Sequence, residues 1–274
     1  MARLRPAAVL ALVAAGALAA LALAAGGSSR TRSTTVASFD SSGLNVHCAG
    51  SQRLVLGGVK ASTSHSEGLV ISAVHPHGTR ALRVAATNVF VNPAGLSATA
   101  YCTHRQRLSI VTKSVKVPAA DAGEPAMGSV GARCPGGTVV RLGGFSAAVS
   151  AQPAGPSVVV NRMKRTGRRT LTVAAANAGD RPGKLEAIAG CGSGPAPSPV
   201  KTTVGLPAAG GRAKTTARCP SGLRLVFGGF QTRSNDGQGP YLRELARPSA
   251  GRWRVGAFQF KRPHAVLKAI AYCG

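Results

Sequence analysis

Basic side chains crowd one short stretch of this sequence: Arg162, Lys164, Arg165, Arg168 and Arg169 fall within eight residues. At that density guanidinium and ammonium groups form a multidentate site for sulfate, phosphate or carboxylate, because each arginine offers paired N–H donors to an oxyanion. The stretch directly precedes an alternating pattern, Leu171-x-Val173-x-Ala175. Two similar patterns, Leu82-x-Val84-x-Ala86 and Trp253-x-Val255-x-Ala257, follow Arg80 and the pair Arg247 and Arg252. These eight residues form the candidate anion-binding set, with the alternative that they are only solvated loop tips. His75 and His77 flank Pro76 and resemble a metal pair, but neither of the other segments has them, so an exposed loop is expected and no metal site. Catalysis is not expected. The acids Glu67, Asp180, Glu186, Asp236 and Glu244 do not recur at matching positions, and no Gly-x-Ser-x-Gly elbow or cofactor motif is present.

The elements that must position these residues come from a threefold internal repeat, which decides architecture before any local motif. The repeats run from Cys48 to Cys102, Cys134 to Cys191 and Cys219 to Cys273. Each reaches Gly-Gly nine and ten positions after its first cysteine: Gly57-Gly58, Gly143-Gly144 and Gly228-Gly229. Each closes on Leu-x-Ala-x-Ala-x-Cys. Six cysteines allow 15 pairings. The repeat selects Cys48–Cys102, Cys134–Cys191 and Cys219–Cys273. Matching lead-ins (Thr34-Thr35-Val36, Lys113-Ser114-Val115, Thr202-Thr203-Val204) set the repeats at about 33–102, 112–191 and 200–273.

Within the repeats apolar residues alternate with polar ones, the period of half-buried antiparallel strands. Leu82, Leu171 and Trp253 each lie 20 residues before the closing cysteine, as a fixed pair of strands requires. Alternation breaks at Gly-Gly, where a bulge with an unusual glycine φ is expected. The fold class is therefore all-β: three tandem disulfide-stapled antiparallel units, sandwich-like, either separate or closed into a pseudo-threefold assembly. Aromatic residues are only 4% of the chain, so each repeat has a thin core and leans on its disulfide.

Residues 1–25 read as a secretory signal, with Arg3 and Arg5 before an Ala/Leu/Val run and small residues at Ala22 and Ala24. An uncleaved anchor is the alternative. No other segment is apolar enough to span a bilayer as a helix. Export agrees with an even cysteine count. The formal charge is +26, or about +24 without Arg3 and Arg5. Such an excess favours a polyanionic neighbour, a cell-surface or extracellular polymer. Aromatic residues do not interleave with the basic ones, so sequence-specific or stacking recognition of nucleic acid is not expected.

The combination Cys219-Pro220, Gly228-Gly229-Phe230, Trp253-x-Val255-x-Ala257 and Ala271-Tyr272-Cys273 resembles repeats in uncharacterised secreted proteins of high-GC Gram-positive bacteria. The first repeat departs most, with Val59 in place of Phe and Leu82 in place of Trp. The resemblance implies an extracellular β-rich module and carries no activity. A three-fold β-prism of the egg-membrane-protein kind is a looser architectural analogy. The expected function is a non-enzymatic, envelope-associated protein that holds anionic polymers through Arg-rich loops. The alternative is a surface spacer without a specific ligand.

Overall fold

The computed structural model describes residues 27–62, 68–122, 124–149, 158–207, 211–233, 240–259 and 265–274; the expected signal segment lies outside them. The first repeat forms β1 (Ser28–Val36), β2 (Ser41–His47), β3 (Arg53–Ser62), β4 (Leu69–His77), β5 (Ala81–Asn88) and β6 (Ala94–Thr103). The second forms β7 (Ser109–Val117), β8 (Ala126–Arg133), β9 (Val139–Val149), β10 (Val158–Arg165), β11 (Thr170–Asn177) and β12 (Gly183–Gly192). The third forms β13 (Ser198–Gly205), β14 (Arg212–Arg218), β15 (Leu225–Arg233), β16 (Tyr241–Ser249), β17 (Arg252–Phe258) and β18 (Val266–Cys273).

These strands build three six-stranded antiparallel walls, ordered β1-β6-β3-β16-β17-β14, β2-β5-β4-β9-β12-β7 and β13-β18-β15-β10-β11-β8. We call them the first, second and third wall. No repeat makes a sheet or sandwich alone. Each gives three strands to one wall and three to another. The physical reason is core size: a repeat whose inward set is largely alanine buries too little apolar surface by itself. Sharing walls produces one common core that runs through all three repeats, from Val36 to Cys273. The choice between separate and closed repeats therefore falls to the closed, pseudo-threefold arrangement.

Three corners close the prism, where β1 meets β2, β7 meets β8 and β13 meets β14. The disulfides Cys48–Cys102, Cys134–Cys191 and Cys219–Cys273 all form. Each stays within one repeat yet joins two walls, since the first cysteine follows an edge strand of one wall and the second lies in a strand of the next. Buried Asn88 and Asn177 tie two of these corners again, at the opposite ends of the strands. Each amide donates to two backbone carbonyls, Val36 and Asn92 or Pro118 and Arg181.

The Gly-Gly pairs have a different role from the expected bulge. The bulges fall two residues earlier, at Val55, Arg141 and Val226, where the pairing with the last strand slips. The pairs themselves do not have positive φ. Instead both glycines make room. A Cβ on the first would lie 2.3 Å from Leu82 Cδ1 at Gly57, 3.3 Å from Leu171 Cδ1 at Gly143 and 1.9 Å from Trp253 Cε2 at Gly228. These are the large residues of the alternating patterns, arriving from the next wall of the same repeat. A Cβ on the second would meet the backbone of a different repeat: Leu245 O at 3.1 Å from Gly58, Val74 O at 2.8 Å from Gly144 and Met163 O at 2.6 Å from Gly229. One glycine thus packs the repeat and its neighbour in sequence joins two repeats.

At those joints β3 pairs β16, β9 pairs β4 and β15 pairs β10, each over only two residue pairs. In two of them a tyrosine reaches across the second glycine. Tyr101 donates from its hydroxyl to the Arg247 carbonyl, and the Tyr272 hydroxyl accepts from the Arg165 backbone N–H at 2.7 Å. The matching guanidinium lies 5.2 Å from each ring centre. The third joint lacks both partners together: Gly190 stands for tyrosine and Pro76 for arginine, and Leu108 approaches the space above Gly190.

Candidate anion-binding face

Sheet register shows which side chains share an outer surface. On the third wall the outward row across β13, β18, β15 and β10 reads Thr203, Lys268, Gln231 and Arg162. The adjacent row carries Lys201 on β13 and Lys164 on β10, with Ile270 and Gly229 between them. Four cations, Arg162, Lys164, Lys201 and Lys268, therefore stand on one face of one wall. Their mutual influence is visible in Lys164. Its ammonium titrates below the ordinary lysine range, first through desolvation against the sheet, then through repulsion from Arg162, Lys201 and Lys268.

The same face continues toward the β10–β11 turn. Arg165 titrates below its ordinary range because it is partly buried, with Tyr272 opposing the shift and Arg141 and Arg168 adding to it. Among the described residues Arg162 Nε, Arg165 Nη1 and Arg141 Nε are buried donors without a protein acceptor. Those atoms are covered by protein, so what the face offers an oxyanion is its clustered charge.

Pseudo-threefold comparison makes the contrast specific. The position of Arg162 is held by Glu244 on the first wall and Ala73 on the second. Glu244 is 2% exposed, accepts from Arg254 at 2.6 and 2.7 Å and lies 3.6 Å from Lys214. It therefore offsets the charge at that position, with Arg254 and Lys214 as its partners. On the second wall Lys184 pairs with Glu186 at 2.7 Å. Among the described residues no carboxylate forms an ion pair with the third-wall cluster.

The eight candidates from the sequence divide accordingly. Arg162, Lys164, Arg165 and Arg168 come together on β10 and the turn after it. Arg169 follows in the same turn but donates through Nε and Nη2 to the Cys134 carbonyl at 2.9 and 2.8 Å, so its charge braces the disulfide corner. Arg80 is exposed at the β4–β5 turn of the second wall. Arg247 and Arg252 are on the first wall, Arg247 over Tyr101 and Arg252 exposed opposite Arg218. The turns are equivalent: the Cys48, Cys134 and Cys219 N–H groups donate to the Arg80, Arg169 and Gly251 carbonyls. They belong to three different walls, so the structure does not bring the eight together. Lys201 and Lys268 join the cluster from strands that sequence reasoning treated only as structural. Their outward parity was readable, but the pairing that sets them beside β10 crosses repeats.

Among the described residues no group of three or more His, Cys, Asp or Glu is placed to hold one metal ion, and no helix is long and apolar enough to cross a membrane. In the comparisons with known proteins, no family model matches the chain and no curated protein shows a significant match.

Proposed function

We propose that this chain is an exported, non-catalytic wall-sharing module that holds anionic polymers against the outer face of its third wall. The single observation carrying this reading is the cluster of Arg162, Lys164, Lys201 and Lys268, to which no carboxylate is paired among the described residues, whereas the first wall carries buried Glu244 at the matching place. The three disulfides support an oxidising, extracellular setting. The flat, sheet-borne geometry suits a repeating polymer that meets several cations at once, with affinity summed over weak contacts.

Association with a cell wall follows as part of the same proposal, through teichoic, uronic or sulfated polymers. The test is retention of residues 26–274 on immobilised polyuronate and on an uncharged polysaccharide, measured from roughly 0.05 to 0.5 M salt. Retention on the polyuronate that falls steeply with salt, and none on the neutral matrix, is expected. Equal retention on both, or retention insensitive to salt, overturns the reading and favours a spacer without ligand.

A further inference from the structure

The second wall carries a different surface at the same pseudo-symmetric place. Glu244 with Lys60 and Arg162 with Gln231 fill that position on the other walls. Here Ala73 faces Ser146, and Ala85 is the next residue across the sheet. With no long side chains on this floor, a groove of about 620 Å³ opens on the outer face. That volume is in the range of small-ligand sites.

The groove has opposite charges at its two sides. Arg83 on β5 is exposed, and Glu186 on β12 is half-buried and also pairs with exposed Lys184 at 2.7 Å, a surface ion pair that competes only weakly for the carboxylate. His75 lies between them and feels both. It is neutral at neutral pH because burial lowers its pKa, with Arg83 and His77 in the same direction and the Pro76 carbonyl and Glu186 opposing. Its Nδ1 donates to the Pro76 carbonyl at 2.9 Å, which leaves Nε2 as an acceptor. Seryl and threonyl hydroxyls at Ser41, Ser72 and Thr87 complete a polar rim.

Strand register sets the span between the two charges. Glu186, Ser146, Ala73 and Ala85 occupy one row, and Arg83 lies two residues along β5. Three strand spacings of about 4.8 Å and two residues of about 3.4 Å put the Glu186 and Arg83 Cα atoms about 16 Å apart. Side chains stand upright on a sheet, so the two charges keep about that separation, which a peptide of three residues at about 3.5 Å each spans together with a hydrogen bond of about 2.8 Å at either end. A single anion would meet Glu186 as well as Arg83, and a single cation the reverse; a molecule with both charges satisfies both sides.

We propose that this groove binds short peptides with free termini, the terminal carboxylate on Arg83 and the terminal ammonium on Glu186. The site is independent of the cationic face of the third wall. Calorimetry on the full mature chain with tri-alanine, N-acetyl-tri-alanine and tri-alanine amide tests it. Free tri-alanine binds, and each blocked form loses about tenfold in affinity, the loss of one charge-assisted contact. Arg83→Ala makes the free acid and the amide bind alike, and Glu186→Gln does the same for the free and acetylated amines. Ala73→Leu, which fills the floor, abolishes binding while retention on polyuronate stays unchanged. Blocked peptides binding as well as free ones, no binding of tri-alanine at millimolar concentration, or binding unaffected by Ala73→Leu each overturn the proposal. A failure confined to polyuronate retention would instead refute the function proposed for the third wall.

Discussion

Replacing Gly228 with alanine places a methyl carbon 1.9 Å from Trp253 Cε2 and 2.0 Å from Cδ2. The indole cannot yield easily. Trp253 is 2% exposed and its Nε1 donates to the Gly229 carbonyl at 3.0 Å. Either the ring leaves its place and that hydrogen bond breaks, or β15 moves off the core. Overpacking of this kind costs about 1–3 kcal/mol and the lost buried hydrogen bond about 1–2 more, so Gly228→Ala should destabilise by about 2–5 kcal/mol. The repeat supplies its own controls. Gly57→Ala meets a flexible leucine methyl at 2.3 Å and should cost about 1–2 kcal/mol. Gly143→Ala meets Leu171 Cδ1 at 3.3 Å, a contact that a small shift relieves. Its cost should be offset by the roughly 0.4–1 kcal/mol that alanine gains through the unfolded chain. Urea unfolding of the three variants under oxidising conditions measures the series. Adding Trp253→Leu to Gly228→Ala reproduces the glycine-facing leucine of the other repeats with one methyl added, and should recover part of the loss in a double-mutant cycle. If Gly228→Ala proves as stable as the parent, if Gly143→Ala is the worst of the three, or if Trp253→Leu gives no recovery, the reasoning about these glycines is wrong.

Other outcomes follow from the same contacts. Replacing Cys134 and Cys191 with serine opens a loop of 57 residues and should cost about 4 kcal/mol; because the walls are shared, unfolding should shift as one transition and not in one third of the signal. Tyr272→Phe leaves the Arg165 backbone N–H without its hydroxyl acceptor and should cost about 1–2 kcal/mol by the same urea assay. Glu244→Gln removes the counter-charge of Arg254 and Lys214, destabilises by about 1–3 kcal/mol and should raise salt-sensitive retention on polyuronate, since the first wall then resembles the third. His75 has a folded-state pKa below its ordinary 6.5, so the unfolded chain takes up the proton first. Its contribution is therefore present above about pH 6.5 and is lost as pH falls toward the folded value, and a His75→Gln variant should show a flatter stability profile across that window.

Much of the strand content was legible because inward positions keep strict parity. Leu96, Ala98, Ala100 and Cys102 are all buried, as are their counterparts up to Cys273. The disulfide pairing was equally readable from the repeat. What a linear repeat cannot express is which wall a strand joins. Val59 pairs with Leu245, more than two repeat lengths along the chain, through a contact of two residue pairs. Nothing local to either residue specifies it; the second glycine marks the place, but its reason is a backbone arriving from elsewhere. The candidate site was half visible for the same cause. Arg162 and Lys164 announce themselves by density along the chain, whereas Lys201 and Lys268 reach them only through β15 and β18. Conversely Arg165, Arg169 and Arg247 looked free in sequence, yet aromatic rings and a carbonyl hold them in place.

The proposed polymer binding rests on the outer face of the third wall. The direct measurement is wall-by-wall neutralisation: Arg162, Lys164, Lys201 and Lys268 changed together to glutamine, against Lys60, Lys113, Lys116 and Arg83, which removes equal charge from the other walls. Retention on polyuronate at fixed low salt should collapse for the first variant and fall only slightly for the second. Equal losses would mean that net charge alone governs retention, and the assignment of a binding face would fail.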